Sequence, residues 1–319
     1  PRLHGGLRAV TSPVPTAVAA PEAPARPPSA RRWLRAAVRA TRPRQWPKNL
    51  LVLAAPLAGA SLGRRDGLGY ALVAVAAFVA ASSAVYLVND TVDAERDRRH
   101  PVKRNRPIAS GALPARHAVL LAVAATAAAL AAGAVIGEPW LIAAVAGYLA
   151  LSFLYSLRLK HVPFVELGFV ASGFLLRVLG GAAATHVPPS GWFLLVCSLG
   201  ALMVAITKRS TELRSLGPGA ARHRPAMRYY RESYLRAAAL VTAVAMAVCY
   251  LLWALGQPGP GMRAWYLISA VPLVAALARF GVLARRGDTR PIEDLITRDR
   301  LMAAAELAWL VAFAIGLRQ

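Results

Sequence analysis

One short run of this sequence concentrates groups that could do chemistry: Asn89-Asp90-Thr91-Val92-Asp93-Ala94-Glu95-Arg96-Asp97. Asn89, Asp93 and Asp97 are spaced i, i+4, i+8, and Asp90 stands i, i+3 from Asp93. A continuous helix would place these oxygens on one face, with Glu95 pointing away. Carboxylates this close repel, by about 4 kcal/mol for two unit charges 4 Å apart at an effective dielectric of about 20. A divalent cation removes that cost. Hard carboxylate oxygens suit Mg²⁺, which keeps waters and bridges to substrate phosphates. Asp90, Asp93 and Asp97 are therefore the expected metal ligands and catalytic centre, with Mn²⁺ as a substitute ion. The competing reading is a solvated acidic helix end balanced by Arg96, Arg98 and Arg99. Against it, four of the chain's 15 acidic residues fall within Asp90–Asp97.

A basic run follows, with Lys103, Arg104 and Arg106. Cations beside a metal-binding acidic cluster are what a diphosphate-bearing substrate requires. They equally fit the excess of Lys and Arg on the inner side of a membrane protein, and both readings can hold together. Further candidates flank other apolar blocks on the same side: Lys48 and Asn49 after Arg42-Pro43-Arg44-Gln45-Trp46, then Tyr155 and Lys160, Lys208 and Arg209, and Arg298. Glu166 and Arg177 lie within an apolar block, where charge is costly and usually functional. They are eleven residues apart, three helical turns, and so face the same way; mutual neutralisation is the plain alternative.

The elements that must carry these groups are membrane spans. Hydrophobic residues make up 57% of 319 residues and come in blocks separated by short charged or Pro/Gly-rich joints. Most blocks approach the roughly 20 residues needed to cross a bilayer. The expected fold is all-α and polytopic, with about nine spans near 49–63, 68–90, 115–136, 139–157, 163–184, 191–207, 235–255, 264–282 and 300–317. Residues 1–30 read as a disordered basic tail without the apolar core of a cleavable signal. Residues 31–48 read as an amphipathic entry segment to a single catalytic domain, 31–319. The net charge of +23 would suggest nucleic acid in a soluble protein. Here the charges sit at alternate joints, so the expected partners are membrane lipids and anionic substrates, with no nucleic acid. That pattern predicts an inner-membrane protein whose site faces the cytoplasm. Arg64 and Arg65 are the exception, on a joint expected outside. Cys197 and Cys249 read as packing residues, not a disulfide or metal site. Oligomeric state is left open, a homo-oligomer being compatible with the sequence.

The acidic helix end, followed by Arg106-Pro107-Ile108-Ala109-Ser110-Gly111, resembles the UbiA superfamily of membrane prenyltransferases. Tyr155 and Lys160 resemble that superfamily's Tyr/Lys motif after the fourth helix. The resemblance implies a nine-helix bundle binding Mg²⁺ and a diphosphate at the cytoplasmic face. Where ordinary members carry a second aspartate-rich motif, this chain reads Ile206-Thr207-Lys208-Arg209-Ser210-Thr211-Glu212-Leu213. Two expected acids are bases, against a plain prenyl-diphosphate enzyme.

The segments Arg42–Leu57, Ser83–Asp90, Val165-Glu166, Leu176-Arg177, Glu293-Asp294 and Arg298–Arg300 are most similar to one branch of that superfamily. Its members transfer phosphoribosyl to decaprenyl phosphate in mycobacteria. This similarity spans roughly residues 40–317. It implies transfer from 5-phosphoribosyl 1-diphosphate to a polyprenyl phosphate, with release of diphosphate, in cell-wall arabinan synthesis. Lys160, Lys208 and Arg209 would hold the donor 5-phosphate or the lipid phosphate. The alternatives are a prenyltransferase using a prenyl diphosphate and an aromatic or lipid acceptor, and a transporter of an anionic solute. Against the transporter, the charged residues crowd one membrane face.

Overall fold

A computed structural model describes residues 29–157, 162, 164–216, 225–286 and 298–319. Among these the fold is all-helical. Helix α1 spans Ala30–Ala40, α2 Ala54–Ala58, α3 Gly67–Val92, α4 Ala94–Arg98, α5 Ala115–Val135 and α6 Pro139–Leu157. Then come α7 Val165–Ala184, α8 Gly191–Leu216, α9 Glu232–Leu255, α10 Pro260–Arg285 and α11 Arg300–Gly316. Seven of these, α3 and α5 to α10, have the length and apolarity to cross a bilayer, and α11 adds 17 residues of similar character. The expected tail lies almost wholly outside the described residues.

Three expectations change. The block at 49–63 is not a spanning α-helix. It is a 3₁₀ segment, Pro43–Leu53, then the short α2 and a single turn at Ser61–Gly63. Pro43, Pro47 and Pro56 each remove a backbone donor, so no long α ladder can form. The entry helix likewise stops at Ala40, ahead of Arg42-Pro43. In the other direction, α8 runs past 207 to Leu216, so Lys208, Arg209 and Glu212 stand on a helix, not on a loop.

Successive spans pack side by side: α3 on α5, α5 on α6, α6 on α7, α7 on α8, then α8, α9, α10 and α11 in turn. The 3₁₀ segment lies between α3 and α7. One core, with Phe78, Leu141, Val145 and Tyr148, fills the space between α3 and α6. Close approach is set at Gly181, where a Cβ would stand 1.8 Å from the carbonyl oxygen of Val52. Only glycine lets the 3₁₀ backbone lie against α7 there. Because directions alternate, the C-terminal ends of α3, α6, α8 and α10 share one membrane side with the N-terminal ends of α5, α7, α9 and α11.

Candidate functional site

The acidic run folds differently from a continuous helix. Helix α3 ends at Val92, Asp93 has φ −87° and ψ 3°, and α4 begins at Ala94. Asp93 turns toward Arg96, 3.7 Å away, while Asp90 and Asp97 are buried. Those two converge on a single nitrogen: Arg106 Nη1 donates to Asp90 Oδ1 at 3.0 Å and to Asp97 Oδ2 at 2.7 Å. Arg42 Nη2 donates to the same Asp90 oxygen at 2.5 Å. Asn89 is half-buried one residue before, and Glu95 is exposed, as expected. The three-carboxylate face thus resolves into a buried pair of carboxylates plus Asp93 beside it. Among the described residues no group of three acidic, His or Cys side chains is close enough to hold a metal.

Both arginines are placed by backbone built for the purpose. Arg42 sits at φ 56°, ψ 64°, a left-handed conformation that costs a non-glycine residue about 1–2 kcal/mol. Its guanidinium lies 4.7 Å from the Tyr86 ring centroid, so Asp90 and an aromatic face together offset that strain. Arg106 opens a tight turn closed by Leu113 N–H donating to Pro107 O at 2.9 Å, with Gly111 at φ 78°. Ile108 and Leu113 anchor the turn in a core shared with Leu87 and Ala94. The Arg-Pro-Ile-Ala-Ser-Gly loop is therefore an arm holding one guanidinium over two carboxylates. Lys103 and Arg104 stand exposed on a 3₁₀ turn of the same loop, and Lys48 is half-buried.

A second polar cluster joins α7, α8 and Tyr230. Glu166 is completely buried, Arg209 Nε lies 3.0 Å from its Oε1, and Tyr230 Oη donates to that oxygen at 3.1 Å. Arg209 also pairs with Glu212, one turn along α8. Burial pushes the Tyr230 phenol up to about 12, with Glu166 adding to the shift. Arg209 is thus paired with two carboxylates, where the sequence reading expected a cation holding a substrate phosphate. Lys208, its neighbour, is exposed.

Arg177 belongs to a third cluster. It donates to Asn49 Oδ1 at 2.8 Å, to Tyr148 Oη at 3.1 Å and to Gly173 O at 2.7 Å, and its guanidinium lies over the Tyr148 ring at 4.5 Å. Asn49 in turn donates to Ser82 at 3.2 Å. Glu166 and Arg177 do not neutralise each other: eleven residues along a helix separate them by about 16 Å. Tyr155 is half-buried near the end of α6. Lys160, Arg158, Glu293 and Asp294 lie outside the described residues. Arg298 is exposed, and Asp299 caps α11 by accepting from Met302 N–H at 2.9 Å. Asp299 also binds Arg279 at 2.6 Å, which holds its carboxyl down at about 2.

The profile of the UbiA prenyltransferase family matches residues 50–298. The chain belongs to the UbiA prenyltransferase family. Within it, the chain is 40% identical over 277 residues to a protein of Mycobacterium tuberculosis named decaprenyl-phosphate phosphoribosyltransferase, covering 86% of this chain and 91% of that one. The protein of that name from Corynebacterium glutamicum is 36% identical over 286 residues, covering 88% and 86%. Among solved structures, a UbiA homologue from Archaeoglobus fulgidus bound to GPP and Mg²⁺ superposes with a TM-score of 0.68 at 16% identity, over 89% of this chain and 98% of that one. A digeranylgeranylglyceryl phosphate synthase structure gives 0.62 at 15% identity, covering 89% and 98%. These share the UbiA fold, and with seven long apolar helices the chain is a multi-pass membrane protein.

The sequence did not single out Tyr148 or Tyr230, and it offered Arg42 only as the head of the basic run Arg42–Asn49, with no partner. Tyr230 lies in a connection between spans, where no spacing points to Glu166.

Proposed function

We propose that this protein transfers 5-phosphoribosyl from 5-phosphoribosyl 1-diphosphate to a polyprenyl phosphate, releasing diphosphate, at the cytoplasmic face of the inner membrane. The observation that carries the reading is the convergence of two buried carboxylates and two arginines at the end of α3. The family membership and the names of the relatives matched over most of both chains support the reaction class.

The donor set fits Mg²⁺. Asp90 and Asp97 bring oxygens to a common point already occupied by a cationic nitrogen, and Mg²⁺ usually takes one or two protein carboxylates plus phosphate oxygens. Asp90 and Asp97 would hold the ion, with Asp93 one residue before α4 as the further candidate and Mn²⁺ as a substitute. Bound there, Mg²⁺ would neutralise the donor diphosphate and stabilise it as a leaving group. Arg42 and Arg106, now bonded to these carboxylates, would pass to the diphosphate oxygens once the ion replaces them there. The C1–O bond to diphosphate breaks, its electron pair leaving with the diphosphate. A phosphate oxygen of the lipid forms the new bond to C1. That oxygen is already anionic, so the step needs no strong base. Lys48, Lys103, Arg104, Lys208 and Arg298 are candidate holders of the remaining phosphates, on the same membrane side, and Lys160 is a further candidate by sequence. Asn89 and Tyr155 border that side. Glu166, Arg209, Asn49 and Arg177 fix the helices that carry it.

Donor selectivity tests the reading. Purified protein with Mg²⁺ and a polyprenyl phosphate is offered 5-phosphoribosyl 1-diphosphate or a prenyl diphosphate in separate reactions. Consumption of the sugar donor alone is expected. Consumption of the prenyl diphosphate alone would replace this reading with ordinary prenyl transfer.

A further inference from the structure

A cavity of about 230 Å³ lies between α8, α9 and α10, at the membrane end they share with the carboxylate site. None of its walls belongs to α3, α4 or the arginine arms. It faces the other side of α8: Thr207, Ser210 and Arg214 are spaced i, i+3, i+7 and line it, while Arg209 turns toward Glu166 on α7. Its deeper wall is apolar, with Met203, Leu240, Leu277 and Phe280, and its rim carries Arg214, Arg236 and Arg285. Among the described residues, Glu232 pairs with Arg214 at 3.0 Å and reaches Arg236 only at 3.8 Å, so one carboxylate serves two of the three guanidiniums. Arg236 and Arg285 are exposed.

The second observation is independent of charge. Ser210 is 4% exposed, and among the described residues its Oγ has no hydrogen-bond partner. Several other serines and threonines in these spans bond back to the carbonyl four residues earlier: Ser156 to Ser152, Ser172 to Gly168, Ser198 to Leu194, Thr242 to Ala238. The neighbouring Thr211 does the same to Thr207. Ser210 forgoes that bond and lines the cavity instead. A buried hydroxyl left without a partner is rare, and its partner is expected from what fills the space beside it.

We infer that this cavity is a binding site for the phosphate headgroup of an anionic membrane phospholipid, held by Arg214, Arg236, Arg285 and the Ser210 hydroxyl. One of its chains lies along the apolar wall formed by α9 and α10. An apolar slot closed by an excess of arginine at the membrane surface is complementary to a lipid carrying net negative charge, and not to a zwitterionic one. Because no residue of the carboxylate site takes part, the occupant is a resident lipid rather than the acceptor undergoing reaction.

Native mass spectrometry of the intact protein, released from vesicles of phosphatidylglycerol and phosphatidylcholine in equal amounts, tests this. Wild type is expected to retain one phosphatidylglycerol and no phosphatidylcholine after dilution into mild detergent. The double variant Arg236→Gln/Arg285→Gln should lose that adduct at least tenfold. Gly281→Leu, which adds a side chain where nothing stands within 4 Å of the glycine's Cβ position, should exclude it sterically with every charge intact. Both variants should elute as wild type does and keep its donor turnover in detergent. Equal retention of phosphatidylglycerol by both variants would overturn the site. So would displacement of the adduct by millimolar inorganic phosphate, the sign of a free-anion site. Replacement of the adduct by an equimolar short-chain polyprenyl phosphate would mark the cavity as an acceptor site and overturn the resident-lipid assignment.

Discussion

Removing the positive charge from Arg209 should unfold this protein before it affects any substrate contact. Glu166 is fully buried and the Arg209 side chain is 4% exposed, so Arg209→Met strands a carboxylate among α7, α8 and Tyr230. Breaking one partner of such a pair costs about 3–5 kcal/mol, chiefly for the charge left behind. At roughly 2–4 °C per kcal/mol, a fall of about 10 °C in melting temperature follows. Glu166→Gln should cost a similar amount, because it strands the guanidinium, with Glu212 as partial compensation. The double variant Glu166→Gln/Arg209→Met buries neither charge. It should lose less than the sum of the single losses, by about 2 kcal/mol of coupling. The assay is thermal unfolding in detergent by intrinsic fluorescence, alongside donor affinity measured on the folded fraction. Single variants that melt within about 1 °C of wild type while losing donor affinity would refute this reasoning. Arg209 would then be a substrate ligand after all.

Asp90→Asn and Asp97→Asn should each lower turnover by roughly 10²–10³-fold, as loss of a group that stabilises developing charge does. Asp93→Asn should cost less and Glu95→Gln little, which steady-state rates with and without EDTA would show. Gly181→Ala places a methyl group against the Val52 carbonyl and should cost about 1–3 kcal/mol or more, read as a lowered melting temperature. Asp299 has a folded-state value of about 2 against 3.8 unperturbed, so its bridge to Arg279 and its cap stabilise above that upper value. That contribution is lost as pH falls from 3.8 through about 2, so the difference in melting temperature between wild type and Asp299→Asn should shrink across that window.

Much of the fold was legible because length and apolarity decide a membrane span. The ends read from sequence for α3, α5 and α6 fall within about two residues of those observed, the usual scatter at helix ends. The first span was misread because hydropathy does not register what Pro43, Pro47 and Pro56 do to backbone donors. Helix α8 was cut short at Lys208 for the opposite reason: charge ends a hydropathic block but not a helix. The acidic run was legible as a concentration of carboxylates, yet its geometry was not. Helical spacing predicts a shared face only while the helix is unbroken, and the bend at Asp93 sends that side chain to Arg96 while Asp97 meets Arg106. Arg209 could not be assigned from sequence because its partner Glu166 is 43 positions away, on another helix.

The central claim is that diphosphate leaves and the sugar moves. It is tested most directly by donor labelled both in a ribose carbon and in the β-phosphorus of its diphosphate. After incubation with the protein, Mg²⁺ and polyprenyl phosphate, the carbon label should enter the organic phase, with an equal amount of phosphorus label released to water as diphosphate. Phosphorus label in the lipid, or both labels left in intact donor under conditions where a prenyl diphosphate is consumed, would contradict it.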